Sequence, residues 1–229
     1  MISNLTGALA LAVALPGGLR WLRIAQREHY IAGSVTRFAV RWWVTRPQNV
    51  VPALVLAAGV ATAWAGLWPG ALVAAAASLA APLGLSYRGR TSKLAWTRRL
   101  RTMTAVSVVL VAVVAVAGAL GGVLPGVAAT LAAALPAVAD LALLLAAPLE
   151  RRLGRRYVRS AARRLESVRP RVVAITGSYG KTSTKFYAGH LAGQKYVTLT
   201  SPASFNNVAG LSRTVNERLV PGTDRRAHV

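Results

Sequence analysis

Apolar residues in this chain come in near-continuous blocks, and arginines come in clusters between the blocks. That segregation limits the possible folds more than any motif does. A water-soluble domain spreads its apolar residues at helix or strand spacing, so that each element keeps a polar face. Here residues 50–68, 71–87, 103–123 and 127–149 are almost wholly apolar, and each approaches the ~20 helical residues that cross a bilayer core. Residues 5–19 form a further apolar stretch containing Pro16-Gly17-Gly18. It reads as a short first span, a re-entrant segment or an uncleaved signal-anchor; if it spans there are five crossings, and if not there are four. The expectation for residues 1–149 is a multi-pass α-helical membrane domain.

The charge is +22, from 28 Lys+Arg against 6 Asp+Glu. Such an excess often marks a nucleic-acid binder, but no recognition module accompanies it, so nucleic acid is not an expected partner. The placement of the arginines says more. Arg20, Arg23, Arg27, Arg37, Arg41 and Arg46 precede residue 50; Arg88, Arg90, Lys93, Arg98, Arg99 and Arg101 separate the second long segment from the third; Arg151 and its neighbours come after the last. The turns Trp68-Pro69-Gly70 and Leu124-Pro125-Gly126 carry no charge. Basic and bare loops alternate, which places the basic loops and the C-terminal part in the cytoplasm of an inner-membrane protein. The absence of cysteine excludes disulfides, thiolate metal sites and cysteine nucleophiles.

Asp140 is the one acid inside an expected span. Two readings stand open: a structural carboxylate that pairs with an arginine or with groups freed by Pro136, and a group that grips a lipid headgroup or substrate. Beyond it, Leu149, Leu153, Tyr157, Val158, Ala161, Leu165 and Val168 recur at helical spacing, with seven arginines between 151 and 164. The pattern predicts a basic amphipathic connector helix over residues 150–169. It would either lie on anionic membrane lipids or simply pack onto the C-terminal domain. Pro170 ends it.

Residues 170–229 read as the start of an α/β domain of the P-loop kind. A strand is expected at 171–176, a phosphate turn at 177–180, a helix at 181–192, a second strand at 196–200, a polar loop at 201–207 and a helix at 208–219. A β-branched run that breaks into a glycine-bounded turn and then Lys-Thr-Ser suits a nucleoside triphosphate. Gly177, Ser178, Tyr179 and Gly180 would present backbone amides to the phosphates of ATP. Lys181 would reach the β- and γ-phosphates, and Thr182, with Ser183 beside it, would ligate Mg²⁺. The general pattern requires glycine five residues before Gly180, where this chain has Ile175.

The shortened loop Thr176-Gly177-Ser178-Tyr179-Gly180-Lys181-Thr182-Ser183-Thr184-Lys185 and the later Ser201-Pro202-Ala203-Ser204-Phe205-Asn206-Asn207-Val208-Ala209-Gly210 stand at a separation that resembles the Mur ligases. These are the ATP-dependent amide-bond ligases of peptidoglycan precursor synthesis. The resemblance covers roughly residues 172–219. It implies an acyl phosphate formed on a carboxylate by transfer of the γ-phosphoryl of ATP, then attacked by an amine. Lys181 would be the catalytic cation, and Ser204, Asn206 and Asn207 would line the substrate side. An Asx- or Ser-type cap on the following helix is the structural alternative for those three. His190, Lys185 and Lys195 are expected on the surface. In the family the ATPase domain continues through further strands, so by that comparison residues 170–229 are its N-terminal portion. Membrane spans in place of a UDP-binding domain point to a lipid-linked acceptor among peptidoglycan precursors. Poly-γ-glutamate synthetase-like ligation and a non-catalytic membrane protein with a remnant phosphate loop are the competing readings.

Overall fold

Helix is the only repetitive structure among the described residues. The computed structural model describes residues 2–85, 94–202, 205 and 207–219 and divides into two units, Met1–Pro148 and Leu149–Val229. The first contains α1 (Ile2–Arg27), α2 (Ser34–Thr45), α3 (Val50–Trp64), α4 (Pro69–Ala80), α5 (Arg98–Leu120) and the opening part of α6 (Leu124–Val168).

Three helices, α1, α5 and α6, are long and apolar enough to cross a membrane. This corrects the expected four or five. Residues 5–19 are absorbed into α1, which passes through Pro16 without ending. Residues 50–68 and 71–87 yield only the 15 residues of α3 and the 12 of α4. At 1.5 Å per residue these helices are about 22 and 18 Å long, against about 30 Å of hydrocarbon. The reason is local. Gly66 takes φ +86 just past α3, and Pro82 succeeds the extended C-cap of α4 at Ala81. A run of apolar residues continues through such turns, whereas a helix does not.

Small residues let the short helices approach closely. A Cβ on Gly59 would stand 2.7 Å from the Ala74 nitrogen, and one on Gly70 would stand 2.6 Å from the Ala63 nitrogen. The core they share with α1 and α6 is built of alanines, including Ala10, Ala14, Ala71, Ala74, Ala128 and Ala132. Without water to satisfy them, polar groups there must find partners within the protein. The Ser78 hydroxyl donates to the Ala132 carbonyl at 2.6 Å. Buried Asn49 accepts from the Leu83 amide at 2.6 Å and donates to the Trp42 carbonyl at 3.3 Å.

The two ends of this unit differ in charge. The basic end of α1 meets the basic start of α5, where Gln26 donates to the Ala95 carbonyl at 2.8 Å and Arg99 to the Tyr30 carbonyl at 3.3 Å. At the other end the uncharged turns come together, with Trp64 Nε1 donating to the Thr130 hydroxyl at 3.0 Å.

In the second unit the α/β expectation fails. Val172 to Ile175 form no ladder, and isolated bridge positions occur only at Arg171 and Thr198 among the described residues. No strand is present among them. Val172 and Val173 are 63% and 67% exposed, so the β-branched run that reads as a buried strand lies largely uncovered. Parallel strands persist only with both faces packed, and two isolated bridge positions do not supply that. The helices do appear as expected: α7 (Lys181–Gly193) and α8 (Val208–Arg218). The connector also forms, as the continuation of α6, which runs 45 residues to Val168. It ends where Arg169 turns to φ +47 ahead of Pro170. Ala161, Leu165 and Val168 on this part of α6 pack with Val215, Leu219 and Leu199. Arg164 caps α8 by donating to the Leu219 carbonyl at 3.0 Å.

Candidate functional site

Residues 177–180 form a glycine-bounded turn without the sheet expected beneath it. Gly177 sits at φ +150 and Gly180 at φ +76, a left-handed value that strains any residue bearing a side chain. Gly180 is the N-cap of α7 and offers no side-chain cap. Its carbonyl accepts the first helical bond, from Thr184 N at 2.9 Å. The opening amides of α7, from Lys181 to Ser183, therefore lack the side-chain acceptor that most helix starts supply. Lys181, half-buried, folds back so that its ammonium donates to the Gly177 carbonyl across the turn. Ser178, Tyr179, Gly180, Thr182 and Ser183 are exposed, Tyr179 at 96%. Gly177, Gly180 and Lys181 are thus brought together in one small loop, with the hydroxyls of Thr182 and Ser183 on the first helical turn beside it.

The donor set fits a polyphosphate. A lysine ammonium held at the mouth of the loop and a positive helix end both favour anionic oxygen. Among the described residues no group of three or more His, Cys, Asp or Glu is arranged to hold a metal ion. A divalent ion here would have to be shared between phosphate oxygens and a hydroxyl such as that of Thr182, which is how Mg²⁺ is ordinarily held beside phosphates.

The second loop is tied to α7 by a residue that was expected to be solvated. Lys185 donates to the Ser201 carbonyl at 2.6 Å and reaches the Ser201 hydroxyl at 3.3 Å. Lys185 lies one helical turn past Lys181, on the same face of α7. Gly189 permits the remaining approach, since a Cβ there would meet the Thr200 methyl at 2.4 Å. Asn207 adopts the capping alternative, with Oδ1 accepting from Gly210 N at 2.8 Å. Ser204 and Asn206 lie outside the described residues. His190 is exposed at the end of α7, as expected.

Asp140 also finds its role, and it is not the arginine pairing or the Pro136 groups. Buried at 6% exposure, its carboxylate accepts from the Val35 and Thr36 amides at 3.2 and 2.7 Å. It is the N-terminal anion of α2. Compared with known proteins, no family model matches the chain, and neither a curated protein nor a solved structure matches it.

Proposed function

We propose that this membrane-embedded protein binds Mg-ATP through the 177–183 loop and uses it for amide-bond formation of the Mur-ligase type on a peptidoglycan precursor. One observation carries the nucleotide part: the Lys181 ammonium lies across the Gly177–Gly180 turn, beside helix-start amides without a side-chain cap. In this reading the amides of Ser178 to Lys181 hold phosphate oxygens, Lys181 exchanges the Gly177 carbonyl for the γ-phosphate, and Thr182 completes the Mg²⁺ shell. The ligase part rests on the resemblance of the two loop sequences. The γ-phosphoryl passes to a carboxylate, the amine attacks the acyl phosphate, and inorganic phosphate leaves. The basic ends of α1, α5 and the apolar part of α6 would face the cytoplasm, where ATP is found. A lipid-linked acceptor suits a chain that remains in the bilayer.

The test is equilibrium binding of Mg-ATP to the full chain in nanodiscs, with Lys181→Ala alongside. Charge-assisted bonds to phosphate are worth about 1.5–3 kcal/mol, so the substitution should weaken binding roughly ten- to a hundredfold. Equal affinity of the two proteins, or none in either, would refute the nucleotide assignment. ATP bound normally, with no ADP release on adding lipid- or UDP-linked muramoyl peptides and amine, would refute the ligase part alone.

A further inference from the structure

We infer that the arginine face of α6 beyond residue 150 is a binding surface for the headgroups of anionic phospholipids in the protein's own membrane. At 3.6 residues per turn, Arg151, Arg152, Arg155, Arg156, Arg159 and Arg163 fall within one arc of about 140°. All six are exposed. The opposite side is committed elsewhere: Ala161, Leu165 and Val168 are packed in the core with α8. Two open grooves run along the basic side. One, of about 440 Å³, is lined by Arg151, Gly154, Arg155, Val158 and Arg159; the other, of about 610 Å³, lies among Arg156, Arg159, Arg163 and Arg164.

Charge, geometry and connectivity together select the occupant. Arg151, Arg155, Arg159 and Arg163 are spaced four apart, and like charges at that spacing repel one another. Glu166, the one acid in the arc, comes after the last of them, so the row requires counter-charge from outside. A guanidinium binds phosphate in a two-pronged fashion, and a row of them suits an array of phosphodiesters better than one ion. Connectivity supplies the rest: Arg155 is six residues from Leu149, the end of the apolar run, so it stays within about 20 Å of it even if fully extended. Anionic headgroups are therefore always within reach, whereas nucleic acid must be recruited. Each arginine near such a surface contributes about 1 kcal/mol. This lipid surface stands whether or not the 177–183 loop binds nucleotide.

The chain has no cysteine, and a Cβ at Gly154 meets nothing within 4 Å, so Gly154→Cys offers a single labelling site inside the first groove. The full chain, labelled there with a fluorophore, is placed in nanodiscs with lipids that carry a quencher near the glycerol. Quenching by labelled phosphatidylglycerol is compared with that by labelled phosphatidylcholine at equal mole fraction. Enrichment of the anionic lipid by about fivefold is expected, from about 1 kcal/mol per arginine in contact. Arg151→Gln/Arg155→Gln/Arg159→Gln should bring the ratio close to one, and Arg155→Gln alone should lower it even if the triple variant folds poorly. Equal quenching by both lipids in the unsubstituted protein would overturn the inference. So would loss of the enrichment to millimolar inorganic phosphate or to an oligonucleotide at constant ionic strength, which would identify a free anion or nucleic acid as the preferred occupant.

Discussion

Replacing Asp140 tests how a carboxylate survives inside an apolar unit. The side chain is buried and accepts from the amides of Val35 and Thr36 at 3.2 and 2.7 Å. A hydrogen bond to a charged group contributes about 1.5–3 kcal/mol, loss of a capping side chain costs about 0.5–2, and a favourable helix-dipole contact reaches about 2. These describe one interaction from three sides and do not add. Asp140→Ala should therefore cost about 3 kcal/mol, and Asp140→Asn, which keeps one carbonyl acceptor, about 1. The difference separates two roles. If the carboxylate served chiefly as the partner of an arginine, the neutral amide would lose nearly as much as alanine does.

Amide hydrogen exchange in detergent or nanodiscs reads the effect at the residues concerned. Val35 and Thr36 should exchange about a hundredfold faster in Asp140→Ala and about fivefold faster in Asp140→Asn, at 1.4 kcal/mol per factor of ten. Amides of α5 should stay protected, because α2 can open while the spans remain. Unchanged exchange at Val35 and Thr36 in the alanine variant would refute the capping role. So would an asparagine variant as exposed as the alanine one.

Other substitutions test the same geometry elsewhere. Gly59→Val places carbon against the Ala74 backbone, and the α3–α4 pair should lose about 1–3 kcal/mol, read as a lower midpoint of thermal unfolding in detergent. Gly180→Ala forces a side chain into φ +76 at the start of α7; it should cost about 1 kcal/mol and weaken Mg-ATP binding while leaving α8 intact. Asn207→Ala removes the acceptor for Gly210 N and should destabilise α8 by about 1 kcal/mol, seen as faster exchange of the Gly210 amide.

The helix boundaries of the second unit were legible in the sequence because their punctuation is local, whereas α2 formed within a stretch that read as a basic loop. Pro170 stops α6, Gly180 opens α7 and Asn207 caps α8, as the residue types announce. The number of spans was not, because hydropathy sums across Gly66 and Pro82 while a helix ends at them. The second unit shows the same limit in reverse. Val172-Val173-Ala174-Ile175 has the composition of a buried strand, but burial comes from neighbours that composition does not provide. The glycine turn was legible because φ is set residue by residue. Lys185 was missed because its partner, the Ser201 carbonyl, belongs to a loop whose path depends on the tertiary fold.

Two buried charges explain how helices too short to span can belong to the apolar unit. A helix that ends inside such a unit leaves backbone groups unsatisfied at its terminus, each costing several kcal/mol without water. The C-terminus of α4 is met by Arg20, only 2% exposed, which donates to the carbonyls of Ala81 and Leu79. The N-terminus of α2 is met by Asp140. Each charge faces the helix end of opposite sign, so the dipole that would destabilise a buried helix terminus instead stabilises the side chain sent to it. The two residues sit on α1 and α6, both long enough to cross, so the spanning helices carry the groups that complete the short ones. An ionisable residue in an apolar segment is commonly a sign of transport. Here both side chains are directed at backbone groups, which makes Arg20 and Asp140 parts of the scaffold that holds the short helices in place.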